Sequence, residues 1–382
     1  MVIEKKDFEA APDWEAGRSK IITFILTEDC QLHCKYCYFV GKNSRNRMSI
    51  EIAKRTIDYL LSEPDLFPES SIVLDFIGGE PLLEIDLLDK ICDYFKLQSY
   101  LKMHTWFGRY RISLSTNGLL YSNESVQRFI RKNKYHLGIG ITIDGTRKKH
   151  DLQRVFPNGR GSYGQVVKQI PLWLMQFPNS STKVTIARED LPYIKESILH
   201  LWKLGIKYVN SNLIFENVWK DGDDDILEDQ LIQLSDTIIE NQYYIGHSCS
   251  FFSRLIGKPV ISDVNWCGAG KMLAVDSTGS FYPCVRFTPF SLQKKEAIVV
   301  GNCYEGIDSN LLRPFLALNL QSQSQKECLE CQVASGCAWC QGMNYDEATT
   351  DTIYQRSIYL CKMHKARVRA NQYFWNKLDK EK

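Results

Sequence analysis

Three cysteines near the start of the chain carry the clearest chemical signal. Cys30, Cys34 and Cys37 are separated by three and then two residues. On one tight loop, three thiolates can hold three irons of a [4Fe–4S] cube and leave the fourth iron without a protein ligand. That iron is open to an outside ligand, such as the amino and carboxylate groups of a methionine. The alternatives are three small buried side chains, or a zinc loop that lacks one ligand.

A second group of cysteines lies in the last third of the chain. Cys267, Gly279 and Cys284 form a C-x11-G-x4-C pattern. A C-x2-C-x5-C-x2-C pattern and one further cysteine follow, made by Cys328, Cys331, Cys337, Cys340 and Cys361. A structural zinc site would account for the four cysteines of the second pattern, but it would leave Cys267, Cys284 and Cys361 unexplained.

The cysteine content favours a reducing compartment. The chain has 13 cysteines in 382 residues, whereas secreted disulfide scaffolds concentrate such numbers in short chains behind a signal peptide. The first fifteen residues contain five acidic side chains and no apolar core, so they do not resemble a signal peptide. We therefore expect a cytoplasmic protein whose cysteines are metal ligands.

Charge and hydropathy argue against two classes of partner. With 47 Lys and Arg against 45 Asp and Glu, the formal net charge is +2, which gives no electrostatic footprint for nucleic acid. The longest apolar run, Ile21–Leu26, is far shorter than the ~20 residues that cross a bilayer. Neither a nucleic-acid partner nor a membrane partner is predicted.

Alternating strand and helix patterns surround these cysteines. β-Branched and aromatic runs predict six strands, at 21–26, 72–77, 112–115, 137–143, 183–186 and 208–213. Helical patterns lie between them, at 50–61, 82–97, 122–132, 163–177 and 193–204. Strands that alternate with helices form right-handed βαβ units and a parallel sheet. Six units are too few for an eight-stranded barrel, so we expect an α/β fold with a partial (β/α)6 barrel, whose ligands gather at the carboxyl ends of the strands.

The first cysteine loop resembles that of the radical SAM superfamily. In this family a C-x3-C-x-aromatic-C motif follows the first strand of a partial (β/α)6 barrel, and Tyr36 fills the aromatic position here. The resemblance implies that Cys30, Cys34 and Cys37 hold a [4Fe–4S] cluster that binds S-adenosylmethionine (SAM). A reduced cluster of this kind cleaves SAM to methionine and a 5′-deoxyadenosyl radical. No catalytic residue beyond these cluster ligands is assigned.

The turn after the second predicted strand resembles the GGEP motif of the same family. In Gly78-Gly79-Glu80-Pro81, the resemblance implies that the backbone and Glu80 meet the amino group of SAM. Paired glycines allow the backbone to approach a ligand closely, and a carboxylate suits an ammonium group. The alternative is a plain turn between a strand and a helix.

Residues 142–154 resemble the S-I-D-G…H-D-x-x-R stretch of the family. The resemblance implies that Thr142 contacts SAM and that Arg154 lies near its carboxylate, which a guanidinium group can bind in a fork. Tyr36 is expected beside the adenine, and Leu213 near the sixth strand is a further candidate. Core packing is the alternative for Tyr36 and Leu213, and an exposed charged turn is the alternative for Arg154.

The carboxyl-terminal cysteines resemble a SPASM domain, which binds two auxiliary [4Fe–4S] clusters. The resemblance implies that an outer set, Cys328, Cys331, Cys337 and Cys361, holds one cluster and that an inner set, Cys267, Cys284 and Cys340, holds the other. Cys249 is the candidate for the fourth inner ligand, with an open or substrate-bound iron as the alternative. The final spacing departs from the family, because two residues rather than three separate Cys337 from Cys340.

The resemblance divides the chain into four parts and predicts its partners. An amino-terminal segment (1–20) precedes the barrel (21–225), a linking helical region (226–262) follows, and the SPASM domain occupies 263–382. Many peptide maturases grip a leader peptide with an additional amino-terminal domain, whereas some twenty residues precede the first predicted strand here. The expected partners are a precursor peptide and a reductant of the flavodoxin or ferredoxin type. A leader peptide would bind a separate protein or another surface, or the substrate has no leader.

The same resemblance implies a peptide substrate. The stretch around Cys337 and Cys340 is similar to maturases of Cys-repeat ribosomal peptides, which favours a thioether cross-link. Sulfatase maturases that form formylglycine carry an Asp, acting as base, directly after the cysteine matched by Cys284, and this chain has Val285 there. Epimerisation, carbon–carbon cross-linking and formylglycine formation stay open, as does a small-molecule substrate. A non-catalytic electron carrier would not need the SAM motifs.

Overall fold

The computed structural model describes residues 18–40, 45–259, 267–337 and 339–381. Its strands are β1 Lys20–Ile25, β2 Ile72–Ile77, β3 Tyr110–Thr116, β4 Leu137–Ile141, β5 Ser181–Ile186, β6 Tyr208–Leu213, β7 Ser248–Cys249, β8 Met272–Val275, β9 Ser280–Tyr282, β10 Gly301–Asn302 and β11 Gly306–Ile307. Its α-helices are α1 Ile50–Ser62, α2 Ile85–Leu101, α3 Glu124–Asn133, α4 Arg147–Gln153, α5 Tyr163–Val166, α6 Ile170–Gln176, α7 Ile194–Lys203, α8 Asp223–Glu240, α9 Ser309–Ala317, α10 Leu320–Gln323, α11 Lys326–Leu329, α12 Gln341–Glu347 and α13 Cys361–Glu381.

The first four strands form a parallel sheet in chain order. Ile22 of β1 lies opposite Leu74 of β2, and Leu74 lies opposite Ile112 of β3. These side chains are fully buried, whereas the alternate positions Thr23 and Asp75 line a cavity inside the barrel. Strands β5, β6 and β7 form a second parallel sheet. All six predicted strands are present, and the predicted α/β partial barrel with a cysteine-rich carboxyl-terminal region is confirmed.

A side chain, rather than a strand ladder, joins the two sheets. The buried Thr182 hydroxyl in β5 donates to Ile141 O at 2.8 Å and accepts from the Ile143 N–H at 3.2 Å. Asp144, just beyond β4, accepts from the Thr185 N–H at 3.2 Å. These bonds satisfy backbone groups that would otherwise be buried without a partner. The barrel wall therefore continues from β4 to β5 without regular pairing.

The carboxyl-terminal region extends the sheet of the barrel. Strand β8 pairs in parallel with β1, and Leu273 lies opposite Ile22. Strands β9, β10 and β11 follow antiparallel, which gives the sheet order β11-β10-β9-β8-β1-β2-β3-β4. The sequence pattern did not predict this shared sheet. Because β1 leads into the first cysteine loop, the carboxyl-terminal region is fixed beside that loop.

Helices cover the outer face of the barrel. Ser49 caps α1 by accepting from the Ile52 N–H at 3.2 Å, and α1 buries Ile57 and Leu60. At the other side of the molecule, α13 packs along α8, where Arg369 pairs with Glu228. Within the described ranges, no helix combines the length and the apolarity that a membrane span requires.

Candidate active site

A cavity of about 430 Å³ opens at the carboxyl ends of the barrel strands. All three cysteines of the first loop border it. The predicted SAM contacts border it as well, namely Tyr36, Gly78, Gly79, Glu80, Thr142, Arg154 and Leu213. Val285 and Arg286 bring part of the carboxyl-terminal region to the same cavity. The structure therefore gathers residues that are spread over more than 250 positions of the sequence.

The first cysteine loop follows β1 and is fixed by backbone hydrogen bonds. The His33 N–H donates to Val155 O at 2.7 Å, and the Lys35 N–H donates to Gln153 O at 2.9 Å. Cys30 and Cys34 are buried, and Cys37 is half-buried. The segment that follows α4 thus holds the loop that carries the three thiols.

Asn117 supports this loop from the turn after β3. Its Nδ2 donates to Gln31 Oε1 at 3.0 Å and lies 3.9 Å from Cys30 Sγ, a long N–H···S contact. Donors to the sulfur of a ligand cysteine tune a metal centre from outside its ligand shell. Only the approach of β3 to the loop shows that Asn117 reaches a cysteine.

Gly78 and Gly79 allow two backbone segments to meet. Gly78 has φ of +154°, and a Cβ there would lie 2.3 Å from Thr27 O, while a Cβ on Gly79 would lie 2.1 Å from Asp29 O. The Gly79 N–H donates to Thr27 O at 2.9 Å, and the Glu80 N–H donates to Asp29 O at 2.8 Å. The sequence motif predicts that the paired glycines allow the close approach of a ligand. In the structure their close approach is to the backbone that leads into the cysteine loop.

The Glu80 carboxylate is buried and largely bonded within the protein. Its Oε1 accepts from the Thr116 hydroxyl at 2.7 Å and from the Leu82 N–H at 3.1 Å, and its Oε2 accepts from the Asn117 N–H at 2.8 Å. Burial raises the pKa of Glu80, and these hydrogen bonds oppose the rise. Each carboxylate oxygen accepts about two bonds. Oε2 therefore keeps capacity for an ammonium group in the cavity.

A buried network connects Tyr36, Asp144 and Arg154. The Tyr36 hydroxyl donates to Asp144 Oδ2 at 2.5 Å, and Arg154 Nη1 donates to the Tyr36 hydroxyl at 2.9 Å. Arg154 Nε has no hydrogen-bond partner among the described residues. Burial lowers the pKa of Arg154, but the interactions with Cys34, Tyr36 and Asp144 are larger together and raise it overall. A buried, charged and incompletely bonded guanidinium group suits a carboxylate ligand.

Lys149 of α4 contacts the carboxylate of this network. Its Nζ donates to Thr185 O at 2.6 Å and lies 3.8 Å from Asp144 Oδ2 and 3.7 Å from Asp190 Oδ2, with all three charged side chains fully buried. Burial raises the pKa of Asp144, but the attraction of Lys149 and Arg154 is larger and lowers it overall. The carboxylate that orients Tyr36 is therefore ionised.

His150 of α4 is a neutral connector in the same motif. Its Nδ1 accepts from the Asp144 N–H at 3.2 Å, and its Nε2 shares a hydrogen bond of 2.9 Å with the Ser162 hydroxyl. Burial and the charge of Arg154 lower the pKa of His150 to about 3. Sequence reasoning assigned only Thr142 and Arg154 in this stretch. Asp144, Lys149 and His150 form the frame that holds Arg154.

Polar side chains at alternate strand positions face the lumen. Asp75 of β2 accepts from the Thr23 hydroxyl at 3.1 Å, and burial raises its pKa. Lys183 of β5 and Asn212 of β6 line the same cavity, and burial together with Arg286 lowers the pKa of Lys183. Sequence reasoning missed these residues. The sequence feature that could have revealed them is a charged or amide side chain within a predicted strand of a parallel sheet. Such strands are covered by helices and usually carry apolar residues.

The structure brings the inner set together. The Cys284 thiol interacts electrostatically with the thiols of Cys340 and Cys267, and Cys340 interacts with Cys267. Burial raises the pKa of both Cys284 and Cys340. Tyr38 interacts with Cys37 as well as Cys284, so it stands between the first cysteine loop and the inner set.

The structure also brings the outer set together. Cys328 interacts with Cys361 and Cys331, and Cys337 interacts with Cys361 and Cys328. Cys340 is grouped with the inner set although two residues separate it from Cys337. The C-x2-C-x5-C-x2-C pattern is thus divided between two places, which does not fit one zinc site built from its four cysteines.

The structure does not bring Cys249 to the inner set. Cys249 lies opposite Val209 in the pairing of β7 with β6, so both side chains share one face of the sheet and are buried in the hydrophobic core. Its sulfur lies 3.8 Å from the Ser211 hydroxyl, and its charged neighbour is Arg367. The predicted role of Cys249 as the fourth inner ligand has no support in this placement.

The grouped thiols fit iron–sulfur clusters. In the part of the chain that the structure describes, no three Cys, His, Asp or Glu side chains converge tightly enough to hold a single metal ion. The thiolates of a [4Fe–4S] cube each bind a different iron, so their sulfurs stand farther apart than the ligands of one ion. Four thiols in the outer set match full cluster ligation. Among the residues that the structure describes, the first loop and the inner set each supply three thiols, which would leave one iron for another ligand.

Comparison with known proteins identifies the family of the barrel. Residues 24–187 match the family model of the Radical SAM superfamily. The resemblance seen in the first cysteine loop is therefore confirmed over these residues.

Two relatives illustrate the range of similarity. An uncharacterized protein of Methanocaldococcus jannaschii is 30% identical over 197 residues, which cover 51% of this chain and 63% of that protein. The antilisterial bacteriocin subtilosin biosynthesis protein AlbA of Bacillus subtilis is 24% identical over 337 residues, which cover 84% of this chain and 67% of AlbA. The chain spans 63% of the length of the Methanocaldococcus jannaschii protein, and 46% and 38% of the length of two other curated relatives.

A solved structure shares the fold along nearly the whole chain. Native anSMEcpe with bound AdoMet and Cp18Cys peptide has a TM-score of 0.72 and 19% sequence identity. The similarity covers 95% of this chain and 100% of that one. The carboxyl-terminal cysteine-rich region is therefore part of the shared fold.

Proposed function

We propose that this chain is a radical SAM enzyme that modifies a peptide in the cavity of its partial barrel, and that it forms a thioether cross-link. The observation that carries the proposal is the position of Tyr38, which interacts with Cys37 of the first loop and with Cys284 of the inner set. The first cysteine loop and the expected SAM contacts thus line the cavity, and the inner set lies beside it. Val285 and Arg286, which directly follow Cys284, border the same cavity, so a peptide bound there would lie next to both sets.

The residues of the barrel hold SAM and its cluster. Cys30, Cys34 and Cys37 are the cluster ligands, and Arg154 and Glu80 are positioned for the carboxylate and the amino group of SAM. When bound, the cluster and SAM supply a 5′-deoxyadenosyl radical that removes a hydrogen atom from the substrate. The buried frame of Asp144, Lys149 and His150 keeps Arg154 charged and oriented.

The inner set supports the thioether assignment. Its three thiols leave one cluster iron for an outside ligand, and a cysteine of the peptide has the right chemistry. A thiolate held by the cluster of the inner set would already be deprotonated, so no base would be needed where the chain has Val285. The radical would remove one hydrogen atom, and that cluster would accept the remaining electron when the sulfur–carbon bond forms. The polar lumen groups Asp75, Lys183 and Asn212 suit the amide groups of a peptide chain.

The names of similar proteins support a peptide substrate. AlbA is a biosynthesis protein of the bacteriocin subtilosin, and the anSMEcpe structure contains a peptide together with AdoMet. A serine-type anaerobic sulfatase-maturating enzyme of Bacteroides thetaiotaomicron is 22% identical over 338 residues. Formylglycine is therefore the competing product, and analysis of the modified peptide distinguishes it from a thioether.

The first test addresses SAM cleavage. Anaerobically reconstituted protein should convert SAM to 5′-deoxyadenosine in the presence of dithionite. The triple variant Cys30→Ala, Cys34→Ala, Cys37→Ala should lose all of this activity and about a third of the iron, since one of three clusters is removed. Cys92→Ala is the matched control, because Cys92 is a buried core thiol of α2 outside every set. Cleavage by the triple variant would refute the assignment.

The second test addresses the product. A synthetic cysteine-repeat peptide, treated with enzyme, SAM and dithionite, should lose two hydrogen atoms per cross-link, and the linked cysteine should resist alkylation. An aldehyde that reacts with hydrazine reagents would establish formylglycine formation instead. A deuterium label at one Cα, with all thiols free, would establish epimerisation.

A further inference from the structure

Each of the three cysteine sets has one arginine beside it, and Arg154 and Arg356 are buried while Arg286 is mostly buried. Arg154 interacts with Cys34 of the first loop. Arg286 interacts with Cys340 and Cys284 of the inner set. Arg356 interacts with Cys328 and donates a hydrogen bond to Cys337 in the outer set. A cation at this position stabilises negative charge on the cluster that the thiols would hold.

Two of these arginines have their charge balanced by a carboxylate. Arg286 Nη1 lies 3.1 Å from Glu216 Oε1, with both side chains mostly buried. Arg154 shares its network with the ionised Asp144 through the Tyr36 hydroxyl. A cation and an anion at this range act together as a dipole, whose effect on a neighbouring charge is smaller than that of the cation alone.

Arg356 has no such balance. Its side chain is 7% exposed, and none of the ion pairs among the described residues includes it. The guanidinium group lies 4.7 Å from the centre of the Trp339 ring, and Nη1 donates to the Ser324 hydroxyl at 3.3 Å. Both contacts are neutral. Arg356 therefore presents a full positive charge to the outer set.

We propose that Arg356 makes the outer auxiliary cluster the more easily reduced of the two auxiliary clusters. A reduced [4Fe–4S] cluster carries one more negative charge than the oxidised cluster, so an uncompensated cation beside it favours the reduced form. The inner cluster faces the balanced pair of Arg286 and Glu216 and gains less. The inference rests on the proposed function, which assigns both cysteine sets to clusters.

The test measures midpoint potentials by redox titration followed by electron paramagnetic resonance. The parent for these measurements is the Cys30, Cys34, Cys37→Ala triple variant, which keeps only the auxiliary clusters. Iron and sulfide analysis first establishes that two clusters are present. Absence of auxiliary iron in this parent would refute the cluster assignment of the proposed function, which is a different failure from the one tested next.

The titration of the parent should show two waves, and Cys361→Ala should remove the wave at higher potential. Arg356→Gln should move that wave to lower potential, and Arg356→Lys, which keeps the charge, should restore most of the shift. The control is the double variant Arg286→Gln, Glu216→Gln, which leaves the net charge unchanged and should shift the other wave less.

Three results would overturn the proposal. The first is loss of the lower-potential wave in Cys361→Ala, a result that does not depend on any Arg356 variant folding. The second is an unshifted outer wave in Arg356→Gln with full iron content. The third is an equal shift in Arg356→Lys and Arg356→Gln, which would assign the effect to packing or hydrogen bonding and not to charge.

Discussion

Arg154 combines the features of a ligand-binding group in one side chain. It is buried, it is held by the Tyr36 hydroxyl, and its Nε lacks a partner among the described residues. An unpaired buried donor costs about 1–3 kcal/mol, and a ligand carboxylate would supply the missing partner. Arg154 borders the cavity that the three cysteines of the first loop also border.

Arg154→Ala should weaken SAM binding roughly 100-fold, because a buried carboxylate would lose its charged partner at a cost of about 2–4 kcal/mol. Anaerobic calorimetric titration of the reconstituted protein with SAM measures the change. Arg160→Ala is the control, since Arg160 is exposed and contacts the Phe156 ring outside the network. Equal affinities in wild type and Arg154→Ala would show that the guanidinium group does not meet SAM.

Thr182 supplies two of the hydrogen bonds that join β4 to β5. Thr182 supplies both a donor for Ile141 O and an acceptor for the Ile143 N–H. These groups lie directly before Asp144, so the junction also fixes the network that orients Tyr36 and Arg154.

Thr182→Val should lower the free energy of unfolding by about 1–3 kcal/mol, because two buried backbone groups would lose a partner while the shape is kept. Thr237→Val is the matched control. The Thr237 hydroxyl bonds only Gln233 O within α8, so its loss should cost less. Urea unfolding followed by circular dichroism compares the two. Equal costs would mean that the hydroxyl of Thr182 does not hold the junction.

Helix α4 carries a buried neutral histidine, which makes the stability of the barrel depend on pH. The pKa of His150 is lowered from 6.5 to about 3 by burial and by Arg154. Below pH 6.5 the unfolded chain takes up a proton at this position, whereas the folded chain does so only near pH 3. The contribution of His150 is therefore complete above pH 6.5 and is lost progressively as the pH falls towards 3.

Between pH 7.5 and 5.5, this histidine should lower the free energy of unfolding by about 1.4 kcal/mol. His150→Asn keeps an acceptor near the Asp144 N–H and cannot titrate, so its stability should fall less over the same range. Thermal unfolding at both pH values tests the difference. Identical pH dependence in the two proteins would show that His150 does not contribute.

The barrel and the carboxyl-terminal region act as one body in the molecule. Strand β8 continues the sheet from β1, and Arg286 contacts the Tyr38 ring at 4.4 Å, so the inner set is fixed beside the first cysteine loop. The grouping of the carboxyl-terminal cysteines follows from this assembly. Cys340 faces Cys267 and Cys284, while its sequence neighbour Cys337 faces Cys361.

Iron content in paired variants should report this grouping. Cys361→Ala and Cys340→Ala should each lose about a third of the iron, and the double variant about two thirds, because the proposed function assigns the two cysteines to different clusters. The matched double variant Cys328→Ala, Cys361→Ala should lose no more than Cys361→Ala alone. Additive losses in the second pair, or their absence in the first, would contradict the grouping.

The sequence alone determined the features that depend on local spacing. The six strands were predicted within a few residues, because alternating apolar runs and intervening helical periods are properties of short segments. The first cysteine loop and the Gly78–Glu80 turn were predicted for the same reason, and the residues expected to contact SAM do line one cavity.

Only the tertiary structure decided what depends on distant segments. It placed Cys337 and Cys340 in different cysteine sets and Cys249 in the hydrophobic core. It also showed that Gly78 and Gly79 lie against the backbone at Thr27 and Asp29. It also turned Asp75 and Lys183 towards one lumen, a consequence of strand register that no single strand contains. Spacing specifies which residues share a loop, whereas pairing of β8 with β1 and closure of the barrel specify which loops meet.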